Sequence, residues 1–88
     1  MAWTIELSDT AKKSLRKLDR QVSKRIAVFL RGRVAQLDDP RALGKALHAS
    51  LEDYWCYRVG DYRLVCEIRD KTLVVLVVEI GHRSDIYR

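Results

Sequence analysis

Arg58 and Arg63 stand on either side of Gly60-Asp61 in the stretch Tyr57-Arg58-Val59-Gly60-Asp61-Tyr62-Arg63. A Gly-Asp pair between two alternating apolar runs reads as a two-residue hairpin turn. With that turn Val59 pairs with Tyr62, and Arg58 faces Arg63 directly across the ladder. Like charges placed opposite each other on a sheet face repel. The pair makes physical sense if an anion lies against it, and a phosphate suits best because the guanidinium fork matches its oxygens. A second cluster, His82, Arg83 and Tyr87, follows Gly81 at the end of the last apolar strand. A chain leaving the sheet there passes beside the hairpin.

A pocket holding Arg58, Arg63, Arg83, His82 and Tyr87 would have what RNA cleavage by transesterification requires. A base takes the 2′-OH proton, cations offset the charge growing on phosphorus, and an acid protonates the leaving 5′-oxygen. None of these roles needs a metal. Arginine suits the second role, since its pKa above about 12 makes it a poor base. Histidine titrates near neutrality and carries protons. A tyrosine beside three arginines has its phenolate favoured, so Tyr87 is the candidate base, with His82 or an arginine as acid.

Each group also has a structural reading. A lone exposed arginine on a strand is ordinarily solvated surface, and a histidine after a strand is ordinarily a loop residue. His48 is a surface residue beside the sheet. Tyr87 lies near the chain end, where an aromatic often covers a sheet edge. Two histidines and two cysteines supply no zinc-type ligand set at workable spacing, so no metal and no cofactor are expected. There is no Gly-rich phosphate loop and no Ser/His/Asp arrangement with the usual context.

The elements that must position these groups follow from periodicity. Trp3 to Leu7 alternates and reads as a strand. Ser8 or Asp9 caps a helix to about Leu18, with Ala11, Leu15 and Leu18 as its apolar stripe and Lys12, Lys13, Arg16 and Lys17 on a solvated face. Asp19 caps a second helix from about Arg20 to Leu37, stopped by Asp38-Asp39-Pro40. Its buried stripe is Val22, Ile26, Phe29, Leu30, Val34 and Leu37. Ala46-Leu47-His48 is a short strand or loop. Residues 54–59, 62–69 and 72–80 form an antiparallel meander, turning at Gly60-Asp61 and Asp70-Lys71. The last strand is apolar on both faces and therefore interior.

Alternation sorts the first two strands of the meander. Trp55, Tyr57, Val59, Tyr62, Leu64, Cys66 and Ile68 share the face turned to the helices. Tyr54, Cys56, Arg58, Arg63, Val65, Glu67 and Arg69 share the other. A slip of one residue would bury both arginines, so this register is preferred. It also turns the two thiols to opposite faces, where they cannot bridge. Both are read as reduced, which fits a cytoplasmic location. The expected fold is a single α+β domain over residues 1–88: an antiparallel sheet, made of the N-terminal strand and the C-terminal meander, packed on two helices.

Hydrophobic residues make up 48% of the chain and charged residues 33%, which favours a globular domain over a disordered one. The net charge of +5 favours an anionic partner. Residues 1–45 hold 11 Lys/Arg against 5 Asp/Glu, and residues 46–88 hold 6 against 7, so the excess belongs to the helices and not to the hairpin. No signal peptide opens the chain, and its longest apolar run, Leu73 to Val78, is too short to span a bilayer.

Taken together, Tyr57-Arg58-Val59-Gly60-Asp61-Tyr62-Arg63-Leu64-Val65, a hydrophobic strand, Gly81-His82-Arg83 and a terminal Ile86-Tyr87 resemble the RelE/ParE toxin superfamily, and its RelE branch in particular. The stretch Gly44-Lys45-Ala46-Leu47-His48 resembles the Gly-Lys-Pro-Leu-Lys of that family. The resemblance implies the toxin of a type II toxin–antitoxin pair, an endoribonuclease that cleaves mRNA in the ribosomal A site without a metal. It implies catalytic roles for Arg58, Arg63, Arg83 and Tyr87, with Tyr87 as base and Arg83 as acid, and RNA contacts for Lys45, His48, Arg58 and Arg63. It implies an inhibitory RelB-like antitoxin, through which the complex would bind operator DNA. The chain departs from the family at Cys56, where some members carry a further basic residue, and at His48, where lysine is common. A ParE-like gyrase poison and a catalytically silent antitoxin-binding module are the alternatives.

Overall fold

A computed structural model of the chain describes residues 3–47 and 54–82. The first strand, β1, spans Thr4–Leu7, and two helices follow, α1 over Asp9–Lys17 and α2 over Arg20–Gly32. Two short 3₁₀ turns, Val34–Gln36 and Pro40–Ala42, lead into β2 at Lys45–Leu47. The meander is β3 (Tyr54–Val59), β4 (Tyr62–Arg69) and β5 (Val74–His82). The five strands form one sheet in the order β1-β5-β4-β3-β2. The expected α+β architecture is present, with two refinements. The short stretch at 45–47 is a strand, antiparallel to β3, and β1 runs parallel to β5.

Both helices begin where the sequence supplies an oxygen acceptor. The Asp19 carboxylate accepts the Gln21 N–H at 3.1 Å and so caps α2. Ser8 does more for α1. Its Oγ accepts the Ala11 N–H at 3.0 Å and donates to the Val78 carbonyl at 2.7 Å. The β4–β5 register shifts at Val65/Cys66, so Val65 faces Glu79 while Cys66 faces Val77. Val78 is the extra residue of that bulge, and a bulge leaves a carbonyl outside the ladder. One hydroxyl thus satisfies the helix end and the bulge together.

Two boundaries differ from the sequence expectation. The second helix stops at Gly32, not near Leu37. Glycine is the poorest helix former after proline. The tighter turn that follows buries Val34 and Ala35 and presents the Ala35 carbonyl to the Trp3 N–H at 2.8 Å. The last strand starts at Val74 because the β4–β5 connection takes four residues, 70–73, and not two. Leu73 adopts φ 54°, a left-handed conformation that a leucine enters only under tertiary constraint. Its side chain packs on the core and its carbonyl accepts the Thr4 N–H at 2.9 Å.

The core lies between the helices and one face of the sheet. Ala11, Ile26, Val34, Leu64, Cys66, Val75 and Val77 are all fully buried there, with Tyr57 beside them. Trp55, Val59, Tyr62 and Ile68 pack against the same cluster. Strand parity therefore sorts the faces as the alternation predicts. The two cysteines are unbridged, and Cys66 sits in the core while Cys56 faces the other way.

Replacing Ser8 by alanine removes the helix cap and the partner of the bulge carbonyl together. The expected loss is about 1–2 kcal/mol, read as a lower urea midpoint with an unchanged m-value. Ser8→Thr should recover most of it. An unchanged midpoint in Ser8→Ala would show that neither bond contributes.

Candidate active site

The β3–β4 ladder has Arg58 opposite Arg63 and Val59 opposite Tyr62, as the two-residue turn requires. Gly60 takes φ 59°, the positive value that the first position of a type II′ hairpin turn needs. Side chains of directly opposed residues are about 4.5–5.5 Å apart at Cβ, so the arginines cannot avoid each other at their roots. They diverge at their tips. The Arg58 Nε donates to the Gly60 carbonyl at 3.0 Å, which folds this exposed side chain back over the turn. Arg63 is half-buried, and its Nε and Nη1 are shielded from water.

On the other side of Arg63 the ladder partner is Gly81. Gly81 brings no side chain to that face. Glu79 is the diagonal neighbour of Arg63 on β5, and Glu67 is held by Arg69 at 2.8 Å.

Lys45 completes the cluster. It pairs with Cys56 across β2–β3, which turns it to the arginine face. Lys45, Arg58 and Arg63 line one pocket of 260 Å³ together with Gly44, Cys56 and Tyr57. Among the described residues no carboxylate lines it. Three cations around a small concavity can hold one tetrahedral anion and offset further charge developing on it. Among the described residues no group of three His, Cys, Asp or Glu side chains converges on a point that could hold a metal ion.

Lys45 reaches this position because the segment before it is tied down by aromatic polar tips. The Tyr57 hydroxyl donates to the Pro40 carbonyl at 2.6 Å, and the Trp55 indole N–H donates to the Leu43 carbonyl at 2.6 Å. Burial pushes the Tyr57 phenol well above its ordinary value, so this tyrosine is an anchor and not a base. Burial likewise pushes up the Cys66 thiol, which leaves it inert in the core. Gly44 makes the close approach possible. Its φ is 77°, and a Cβ there would lie 2.5 Å from the Cys56 carbonyl oxygen and 2.8 Å from the Trp55 indole nitrogen. Gly44 and the two aromatic anchors were not legible as site residues from periodicity; a glycine just before a strand was the available signal.

The structure brings together Lys45, Arg58 and Arg63. It does not bring His82 to them. His82 is the last residue of β5, not part of a loop beyond it, and it pairs with Tyr62. That register puts it on the helix side of the sheet, where its ring meets the edge of Tyr62 at 5.6 Å and 87°. The expectation of His82 as a proton carrier in the arginine pocket is corrected accordingly. His48, Arg83 and Tyr87 lie outside the described residues.

The family model for the ParE toxin of the type II toxin–antitoxin system parDE matches residues 5–87. The chain belongs to this toxin family. Its relatives place it on the RelE side of the superfamily. It is 32% identical to Toxin RelG of Mycobacterium tuberculosis over 88 residues, covering 100% of this chain and 99% of that one. The fold matches the toxin–antitoxin complex RelBE of the same organism with a TM-score of 0.85 at 28% identity, covering 97% and 95% of the two chains. It matches the isolated RelE toxin of E. coli with a TM-score of 0.72 at 25% identity, over 92% and 84%. The chain is thus a RelE-like toxin built from two helices and a five-stranded sheet.

Gly44→Ala should destabilise the toxin by about 2 kcal/mol or more, since it combines left-handed strain with a backbone overlap. Gly32→Ala is the matched control. A Cβ there meets only Val28 Cγ1 at 3.9 Å, and alanine favours the helix. Thermal melts of the two variants should move in opposite directions; equal melting temperatures would refute the role given to Gly44.

Proposed function

We propose that this toxin is a ribosome-dependent endoribonuclease that cleaves mRNA in the A site by attack of a ribose 2′-OH on the adjacent phosphate. The observation that carries the proposal is that Lys45, Arg58 and Arg63 line one pocket, with no carboxylate among the described residues around it. In the reaction the 2′-oxygen forms a bond to phosphorus and the bond from phosphorus to the 5′-oxygen breaks. The products are a 2′,3′-cyclic phosphate and a free 5′-OH. Negative charge grows on the non-bridging oxygens between these events, and the three cations are placed to offset it. No metal is required. We assign the base role to Tyr87 and the acid role to Arg83 from the family resemblance, and an RNA contact to His48 on the same ground.

The solved neighbours include RelE toxins in complex with RelB antitoxins. We propose that a RelB-like antitoxin inhibits this toxin in the cytoplasm and carries the complex to operator DNA. No helix of the described residues is long and apolar enough to cross a membrane. Poisoning of DNA gyrase is the second reading, because the matching family model is described as a ParE toxin.

Primer extension on translated mRNA after induction separates the two. Sharp cuts within codons are expected, while intact mRNA with accumulating DNA breaks would overturn the nuclease reading. Arg58→Ala and Arg63→Ala should each slow cleavage by about a hundredfold or more, with an unchanged circular dichroism spectrum. Wild-type rates in both variants would remove the pocket from the mechanism.

A further inference from the structure

On the face away from the helices, β3 and β4 present a series of rungs. Arg58 faces Arg63, Cys56 faces Val65, and Tyr54 faces Glu67. Each rung lies two residues, about 7 Å, from the next, so Tyr54 stands about 13 Å from Arg58 along the strand. The first rung carries the pocket arginines. The middle rung is uncharged and buried. The third sets a half-buried aromatic ring beside a half-buried carboxylate. Directly opposed residues approach to about 4.5–5.5 Å at Cβ, so the two side chains are neighbours. The Arg69 Nε donates to Glu67 Oε1 at 2.8 Å, and among the described residues Oε2 accepts no bond. The carboxylate is therefore oriented at one oxygen and open at the other.

Tyr54 belongs neither to the core nor to the cationic pocket. The core cluster takes Trp55, Tyr57 and Val59 from this strand, and the pocket takes Cys56, Tyr57 and Arg58. A partly exposed aromatic on the cationic face is a platform on which a flat ring stacks.

We propose that Tyr54 and Glu67 form a subsite for one mRNA base next to the cleaved phosphate, an inference that rests on the nuclease reading above. With the phosphate held by Lys45, Arg58 and Arg63, the strand passes the uncharged rung and the base stacks on the Tyr54 ring. Its pairing edge then turns to Glu67, the way unpaired RNA bases are read. A carboxylate only accepts, so it selects edges that donate. Guanine, adenine and cytosine each carry an exocyclic amino group. Uracil carries a single N–H set between two carbonyls, whose oxygens the carboxylate repels. The subsite therefore discriminates against uracil. Its distance from the arginines matters too, since a carboxylate inside the pocket would offset the cations that the phosphate needs. The same carboxylate tells against an acidic protein segment on these rungs, where like charges would meet.

The test uses the full-length toxin and ribosomes programmed with mRNAs that differ in one base at a time on either side of the cut. The wild type should cut templates with uracil in the subsite about tenfold more slowly than templates with an amino-bearing base. Glu67→Gln should bring that ratio to within about twofold, because an amide both accepts and donates. Tyr54→Ala should raise the half-saturating toxin concentration by about tenfold, with a smaller change in the limiting rate. Tyr54→Phe should recover it, since stacking needs the ring and not the hydroxyl. Equal cleavage of all templates by the wild type, an unchanged uracil ratio in Glu67→Gln or unchanged saturation in Tyr54→Ala would overturn the proposal and leave the nuclease reading intact. So would variants that cleave as the wild type does but bind the antitoxin less tightly, which would make these rungs a protein contact. Absence of cleavage by the wild-type toxin on every template would bring down the nuclease reading, and the base subsite with it.

Discussion

The register of the β3–β4 hairpin is the constraint on which both faces of the molecule depend. Side chains alternate along a strand, so one pairing choice decides what is buried and what is exposed. The observed pairing buries Tyr57 and Leu64 and leaves Arg58 on the outer face. Each large apolar side chain withdrawn from water contributes roughly 1.5–3 kcal/mol. Two like charges opposed at a wet surface cost about 1 kcal/mol or less. Burial therefore wins by a wide margin, and the arginine pair is held in place by packing on the face it does not occupy. Slipping the strands by one residue would exchange the faces and put two unpaired cations into the core, at several kcal/mol each.

The same aromatic residues that fill the core also build the wall of the pocket. Trp3, Tyr57 and Trp55 direct their polar tips at the carbonyls of Asp38, Pro40 and Leu43, at 3.2, 2.6 and 2.6 Å. A segment without regular ladder bonds is thereby fixed at three carbonyls in succession. Arg41 adds a two-pronged bond to Asp70, at 2.9 Å for each oxygen, which joins this segment to the β4–β5 turn. That bond holds the Asp70 carboxyl below the usual carboxylate range. Lys45 begins its strand only after these attachments, so its approach to the arginines is a consequence of the aromatic core and not of local propensity.

Periodicity made most of this legible. The helix starts at Ser8 and Asp19, the face assignment of β3 and β4, the opposition of Arg58 and Arg63 and the divergence of the two thiols all follow from spacing alone. What escaped were features decided by tertiary pairing. The early end of α2 depends on Trp3 taking the Ala35 carbonyl, and the longer β4–β5 turn depends on Leu73 being held at positive φ by the core. The extension of β5 through Gly81 and His82 depends on ladder partners in β4. That extension moved His82 from a pocket loop to the opposite face, because parity acts on every residue still in the ladder. Gly44 escaped for a related reason: its necessity lies in atoms of β3, which a one-dimensional pattern does not bring near it.

Charge distribution and site position are separable in this fold, and the screening length says why they must be. The excess of cations sits in residues 1–45, most of it on the helices, while the pocket opens on the far side of the sheet. Exposed charges interact weakly beyond about 8–10 Å in physiological salt. The smallest dimension of the molecule is 22 Å. The helical cations can attract a large anionic partner, but they act only feebly on a phosphate held at the opposite face. A site there has to carry its own charges, and β2, β3 and β4 each contribute one. The Gly60 turn is where the two systems come close, with Arg25 on one side and Arg58 on the other.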